Sequence, residues 1–286
     1  MTARSVPAPA PADASLVALL DLEPLERDLF RASTVFDDPF PLYGGQVAAQ
    51  ALLAAGRTVP AGRVPHSMHG YFLRSGDARR PTLFRVERDR DGRSFSARRV
   101  VAVQAAEVVF SLSASFHDRE EGLDQQVEPA PDVPAPEALP PLEMPRLFSF
   151  EARLPPQPHE RSWPTRFWAR CTEPLPPAEN GGELLHAAVL TYLSDIMTGL
   201  SPLATGGFRP TTSLDHAVWF HRSARLDDWV LVDLAGRTTG GGRGWYTGSL
   251  TSRDGVLRAS IAQESLFRGH RPATAFAEER APVWRE

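Results

Sequence analysis

The run Ser67-Met68-His69-Gly70-Tyr71-Phe72-Leu73-Arg74 has a counterpart 148 residues on, Asp215-His216-Ala217-Val218-Trp219-Phe220-His221-Arg222. Tyr71 meets Trp219, Phe72 meets Phe220 and Arg74 meets Arg222. An internal duplication holds its register over long distances. The same shift takes Glu107-Val108-Val109-Phe110 onto Gly255-Val256-Leu257-Arg258, and the run from Gln46 onto Ser194-Asp195. Identity between the copies is slight, but order and spacing agree.

Around this anchor the apolar period is two over His66 to Leu73, Thr82 to Arg90, Ser94 to Gln104 and Val108 to Phe116, with a turn at Asp91-Gly92. These read as four strands. A second set reads over Thr212 to His221, Trp229 to Gly236, Arg243 to Thr251 and Val256 to Phe267, and Trp163 to Cys171 adds one more strand. Gln46 to Gly56, rich in Ala, reads as a small-residue helix. Glu183 to Leu200, stopping before Pro202, reads as a helix whose apolar residues cover more than one face and which is therefore buried. Leu16 to Leu20 is a short helical turn, and Leu22 to Thr34 leaves helix and strand open, with Pro24 favouring an extended start. Each copy is thus a helix followed by four strands. The class is α+β, two tandem repeats of a long helix wrapped by an antiparallel sheet.

Residues 118–161 differ in kind. Ten prolines fall between Pro129 and Pro158, which predicts an extended linker. The domains expected are a disordered tail over 1–14, a first unit over 15–117, the linker, and a second unit over 162–286.

Of 286 residues, 42% are hydrophobic and 23% charged, the balance of a soluble globular protein. The net charge is −4 and the 31 basic residues are dispersed, which argues against a nucleic-acid partner. Cys171 is the only cysteine, so an intrachain disulfide framework and cysteine-rich zinc sites are excluded. A reducing compartment, the cytoplasm, is the expected address. No apolar run approaches the roughly 20 residues of a membrane span, so no membrane association is expected.

Asp195 stands out because an ionised acid among Leu193, Ile196 and Met197 is costly unless paired. On this residue alone, a tuned functional acid and a cap for the following turn are equally good readings. Gly44-Gly45 opens the first helix and reads either as a tight turn or as a place where backbone N–H groups meet a ligand. His216 and His221, like His66 and His69, point to opposite strand faces, a poor arrangement for metal ligands. A Ser-His-Asp nucleophilic site lacks an evident third partner. Gly240-Gly241-Gly242-Arg243-Gly244 precedes a strand and lacks the ending of a phosphate loop.

Five blocks together resemble the type II acyl-CoA thioesterases of bacteria and peroxisomes. They are Leu42-Tyr43-Gly44-Gly45-Gln46-Val47; His66 to Arg74 with Gly76-Asp77; Asp91-Gly92-Arg93-Ser94-Phe95-Ser96-Ala97-Arg98-Arg99-Val100; Ser213-Leu214-Asp215-His216-Ala217-Val218-Trp219-Phe220-His221-Arg222; and Arg253-Asp254-Gly255-Val256-Leu257. The resemblance runs from about Leu16 to Arg268 and implies a double hot-dog fold. It further implies an acyl-CoA substrate, no cofactor and no metal, association into a dimer or higher oligomer, and a water-attacked thioester. Asp195, Ser213 and Gln263 match the family's water-binding set. Gly44, Gly45 and Gln46 are the expected oxyanion or substrate contacts, and Arg243, Arg98, Asp215 and His66 are left as CoA-binding or structural. Under the 148 shift Asp195 falls on Val47, Ser213 on Pro65 and Gln263 on Ser115, so one site per chain is expected. Gly45→Val is then expected to lower turnover with the fold intact. A hot-dog enoyl-CoA hydratase or dehydratase, with a His beside Asp195, and a catalytically silent acyl-CoA binder are the alternatives.

Overall fold

The structure, a computed structural model, describes residues 15–33, 41–144, 147, 149–161, 163–178 and 182–269. The expected tail over 1–14 lies outside them. In chain order the elements are α1 (Leu16–Leu20), β1 (Glu23–Glu26), β2 (Leu29–Ala32), α2 (Gly44–Gly56), β3 (Val64–Phe72), β4 (Thr82–Asp91), β5 (Phe95–Gln104), β6 (Glu107–His117), β7 (Phe150–Arg153), β8 (Arg166–Cys171), α3 (Glu183–Ser194), β9 (Arg209–Ser213), β10 (Asp215–Phe220), β11 (Val230–Gly240), β12 (Arg243–Ser252) and β13 (Leu257–Arg268). The ambiguous stretch before α2 is resolved as the hairpin β1–β2.

The strands form one sheet in the order β1-β2-β4-β5-β6-β3-β10-β13-β12-β11-β8-β7, with β9 also on β13. The two repeats join edge to edge, β3 pairing antiparallel with β10 from Asp215↔Tyr71 to Trp219↔Ser67. The core lies between the concave face of the sheet and the helices. From Gly45 to Ala55 every residue of α2 is buried. Its alanines leave room for the sheet, and a fully buried leucine such as Leu52 contributes roughly 2 kcal/mol. α2 and α3 run antiparallel, because a Cβ on Gly45 would strike the Tyr192 carbonyl and one on Gly56 would strike Leu184.

Four expectations are corrected. The second helix ends at Ser194 and not Leu200; Asp195 is its C-cap, and Met197–Leu203 is a 3₁₀ turn with Pro202 inside. The break falls at Asp195, whose φ of −82° and ψ of 57° leave the helical region, and Pro202 further on, with no N–H and a ring that opposes the carbonyl four residues back, disfavours resuming an α-helix there. The strand expected over Thr212 to His221 is interrupted at Leu214, which bonds Glu264 on one side and Phe72 on the other. The proline-rich stretch is not bare linker, since Phe150–Arg153 pairs with β8 as an edge strand and Trp168 donates to the Pro134 carbonyl at 3.1 Å. Finally, Glu183 to Leu203 does pass the length and composition of a membrane span, with mean hydropathy 1.2, but 78% of that window is buried inside the fold.

The register of the repeat is also corrected. Strand shifts of 148 hold from Thr82 to Val230 and from Phe95 to Arg243. The helix starts, Gly44 and Glu183, are 139 apart, because the stretch between α3 and β9 is longer than its counterpart after α2. On the last strand, the partner of Phe95 is His117 and the partner of Arg243 is Leu266, a shift of 149. The β12–β13 connection is one residue longer. The counterpart of Asp195 is therefore Gly56 and not Val47, and that of Gln263 is Ala114 and not Ser115. Ser213 keeps Pro65, since Ser213 opposes Ser265 as Pro65 opposes Phe116.

Candidate active site

Asp195 leaves α3 at its last turn, only 5% exposed, and β9 and β13 bring Ser213 and Gln263 to it. Gln263 Nε2 lies 2.7 Å from Asp195 Oδ1 and 2.7 Å from Ser213 Oγ. Ser213 Oγ lies 3.3 Å from the same Oδ1. An amide nitrogen has two hydrogens, so Gln263 donates both here, and the Ser213 proton remains for the carboxylate. A buried carboxylate without such donors would be several kcal/mol unfavourable.

The other carboxylate oxygen faces the first repeat. A Cβ on Gly44 would collide with Asp195 Oδ2 and with the Phe72 ring, so α2 begins against the acid and only glycine fits. The first amides of a helix have no acceptor within it, and the positive end of the dipole favours an anion. Tyr43 fixes this arrangement, its hydroxyl lying 3.0 Å from the Tyr192 carbonyl and 2.9 Å from that of Asp195. Gln46 is buried on the first turn of α2. Because a Cβ at Gly45 would meet both the Tyr192 carbonyl and the Tyr43 ring that is bonded to it, Gly45→Val would disturb the helix pairing itself, contrary to the expectation above.

The remaining candidates lie elsewhere. Arg98 is buried and bonds Thr58 Oγ1 at 2.8 Å, the Thr58 carbonyl at 2.9 Å and Asp91 at 2.7 Å, the geometry of a structural arginine. Asp215 accepts the Glu264 amide at 2.7 Å and pairs with His69 at 3.0 Å on the outer face. Arg243 pairs with Glu264 at 2.8 Å. His66 sits 2.7 Å from Ser115 Oγ, and burial, then His117, lowers its pKa.

Tyr246, which sequence reasoning missed, and His216, which it weighed only as a metal ligand, complete the surroundings. Tyr246 on β12 is fully buried, its hydroxyl 2.8 Å from Gln263 Oε1 and 3.0 Å from the Ile196 carbonyl. Burial, followed by the charges of Asp195 and Asp215, pushes its pKa well above the usual phenol value, so it stays protonated. Its signal was faint: strand alternation puts it on the core face, where a tyrosine hydroxyl needs a partner. His216 on β10 is 2.7 Å from Ser194 Oγ, which itself donates to the Thr191 carbonyl at 3.0 Å. Ser194 must then accept from His216 Nε2–H, which leaves Nδ1 the unprotonated nitrogen, buried and with no partner at hydrogen-bond geometry among the described residues. Burial pushes the His216 pKa down to about 4.

The paired helix-and-sheet repeat defines a double hot-dog fold, in which an acid, a hydroxyl and an amide of one repeat meet the start of the other repeat's helix. Residues 37–117 match the acyl-CoA thioesterase N-terminal domain and residues 111–267 the acyl-CoA thioesterase C-terminal domain. Acyl-coenzyme A thioesterase 8 of Homo sapiens is 34% identical, the alignment covering 88% of each chain. Acyl-CoA thioesterase 2 of Haemophilus influenzae is 34% identical, covering 89% of this chain and 97% of the relative. The crystal structure of acyl-CoA thioesterase II TesB2 from Mycobacterium marinum superimposes with a TM-score of 0.74 at 40% identity, over 90% of this chain and 99% of that one. The chain belongs to the acyl-CoA thioesterase family, and so to the enzymes that hydrolyse thioesters.

Proposed function

We propose that the chain hydrolyses fatty acyl-CoA to free acid and CoA by direct attack of a water on the thioester carbonyl. The observation that carries this reading is the convergence of Ser213 and Gln263 on one oxygen of Asp195 while the other oxygen faces the start of α2. Asp195 takes the proton of the attacking water. Ser213 and Gln263 hold that water and the carboxylate in line, and the Gly44 and Gly45 amides, with Gln46 beside them, receive the negative charge that builds on the carbonyl oxygen. Neither a covalent intermediate nor a metal is required by this chemistry. The acyl chain extends along the apolar seam beside α2 and α3.

Two further parts of the reading have their own support. Tyr71, Trp219 and Trp245 lie 51%, 45% and 40% exposed on the outer face of the sheet, which favours self-association there. The single cysteine, buried and with no second cysteine in the chain to pair with, suits a reducing compartment such as the cytoplasm. The hydratase alternative requires a histidine on the substrate, whereas the His216 ring is engaged with Ser194.

CoA release from short, medium and long acyl-CoAs, wild type beside Asp195→Asn, tests the mechanism. A folded Asp195→Asn protein should lose at least about 100-fold in kcat, the lower range for a general base. Equal release from both would remove Asp195 from the mechanism.

A further inference from the structure

We infer that Tyr246 is a positioning residue for the hydrolytic step, fixing through Gln263 which end of the amide faces Asp195. The inference rests on the mechanism proposed above.

The Gln263 amide has two possible orientations, and only one presents donors to an ionised carboxylate. Turned the other way, its oxygen would oppose Asp195 Oδ1 at hydrogen-bond distance and both lone-pair groups would repel. The group that sets the choice is on the far side of the amide. Tyr246, held protonated by its surroundings, offers its one O–H to Gln263 Oε1 at 2.8 Å, with the Ile196 carbonyl at 3.0 Å as the competing acceptor. While the proton is directed at Oε1, both amide hydrogens point to Asp195 and Ser213. If it is directed at Ile196, the phenol oxygen can instead accept from a turned amide, and the carboxylate loses a donor. The charge on Asp195 and the proton on Tyr246 therefore support each other across Gln263.

The first repeat supplies the contrasting case. The counterpart of Tyr246 is Arg98, also buried, which ties down the segment after α2 through Thr58. Tyr246 does the same after α3 through Ile196. A purely structural tether would end there. Tyr246 differs because the residue opposite it on β13 is Gln263, where the first repeat has Ala114 opposite Arg98. The phenol reaches the candidate acid in two hydrogen bonds, and the arginine reaches no counterpart of it.

The test is the pH profile of kcat and kcat/KM for Tyr246→Phe, Gln263→Ala and the double variant, with Asp195→Asn assayed in parallel and thermal unfolding followed for each. Tyr246→Phe should lower kcat about 10-fold with KM within twofold, and move the acid limb of the profile upward by at least half a pH unit, because Asp195 loses donor support for its charged form. In the Gln263→Ala background the same change should have less than a twofold further effect, the coupling expected of residues acting in series. A Tyr246→Phe enzyme with lowered unfolding temperature but an unshifted limb, or an effect that multiplies fully with Gln263→Ala, would reduce Tyr246 to a tether and overturn the inference. Should Tyr246→Phe unfold, Tyr246→Leu in the same cycle is read in the same way, and insolubility of both would identify a fold residue and likewise overturn it. Retained activity in Asp195→Asn would instead overturn the underlying mechanism, so the two failures are distinguishable.

Discussion

The two repeats share a backbone plan and place opposite chemistry on it. Where the second repeat has Asp195, Ser213, Gln263, Tyr246 and His216, the first has Gly56, Pro65, Ala114, Arg98 and Met68, position for position in the corrected register. At the helix starts the contrast reverses, with Gly44 on α2 and Glu183 on α3. The candidate site therefore sits at one of two related junctions, composed of the open helix start of one copy and the polar strands of the other. The second junction has an acid at its helix start, paired with Arg119, and on its strands three apolar replacements and one structural arginine, Arg98. On the proposed mechanism, one of the two related junctions is fitted for chemistry and the other for packing.

Copying the silent junction onto the candidate site should have the largest effect. Gly44→Glu puts a second carboxylate and a colliding side chain against Asp195, and kcat should fall on the order of 1,000-fold, about 4 kcal/mol of barrier. The reverse change, Glu183→Gly, should leave kcat within twofold; a comparable loss there would show that the two junctions are coupled. Next in size is Arg98→Met. Thr58 and two strand carbonyls lose their donor, so unfolding free energy measured in urea should drop by roughly 3 kcal/mol while kcat per folded molecule stays within twofold.

The smallest effect is electrostatic and separates His216 from its counterpart Met68. With its pKa lowered in the folded state, His216 binds no proton between about pH 6.5 and 4, whereas the unfolded chain does. Its contribution is complete above pH 6.5 and is lost as the pH falls, by roughly 2 kcal/mol at pH 5. His216→Met should flatten that part of the stability profile; an unchanged slope would place the acid sensitivity elsewhere.

Much of this was legible beforehand. Strand positions carry a period of two, and hairpins set their spacing, so β3, β4 and β5 could be matched to β10, β11 and β12 by a constant 148. Helix register was not legible in the same way: the connection after Asp195 carries a 3₁₀ turn with no counterpart after α2, and a sequence shift cannot see which elements an insertion separates. The one-residue change at β13 was hidden for a related reason. A hairpin longer by one residue reverses every side chain after it relative to a fixed shift, which is why Ser115 was mistaken for the partner of Gln263. Asp195 stood out as an acid among apolar neighbours, Ser213 and Gln263 were picked out by resemblance, and the structure brings the three within hydrogen-bond distance of one another. Tyr246 was missed, and His216 weighed only as a metal ligand, because what matters for each is the group that faces it, which periodicity alone does not reveal.

The pairing of β3 with β10 also bears on how the chain is made. When β6 has left the ribosome, β3 is complete on one side, but its other edge has no partner until β10 is synthesised about 140 residues after Phe72. At 5–20 residues per second that is an interval of roughly 7–30 s in which a hydrogen-bonding edge is open to other nascent chains. His69 and Tyr71, polar or amphipathic and outward-facing on that strand, are well suited to a waiting edge, and the proline-rich stretch synthesised in the meantime adds little that competes for it.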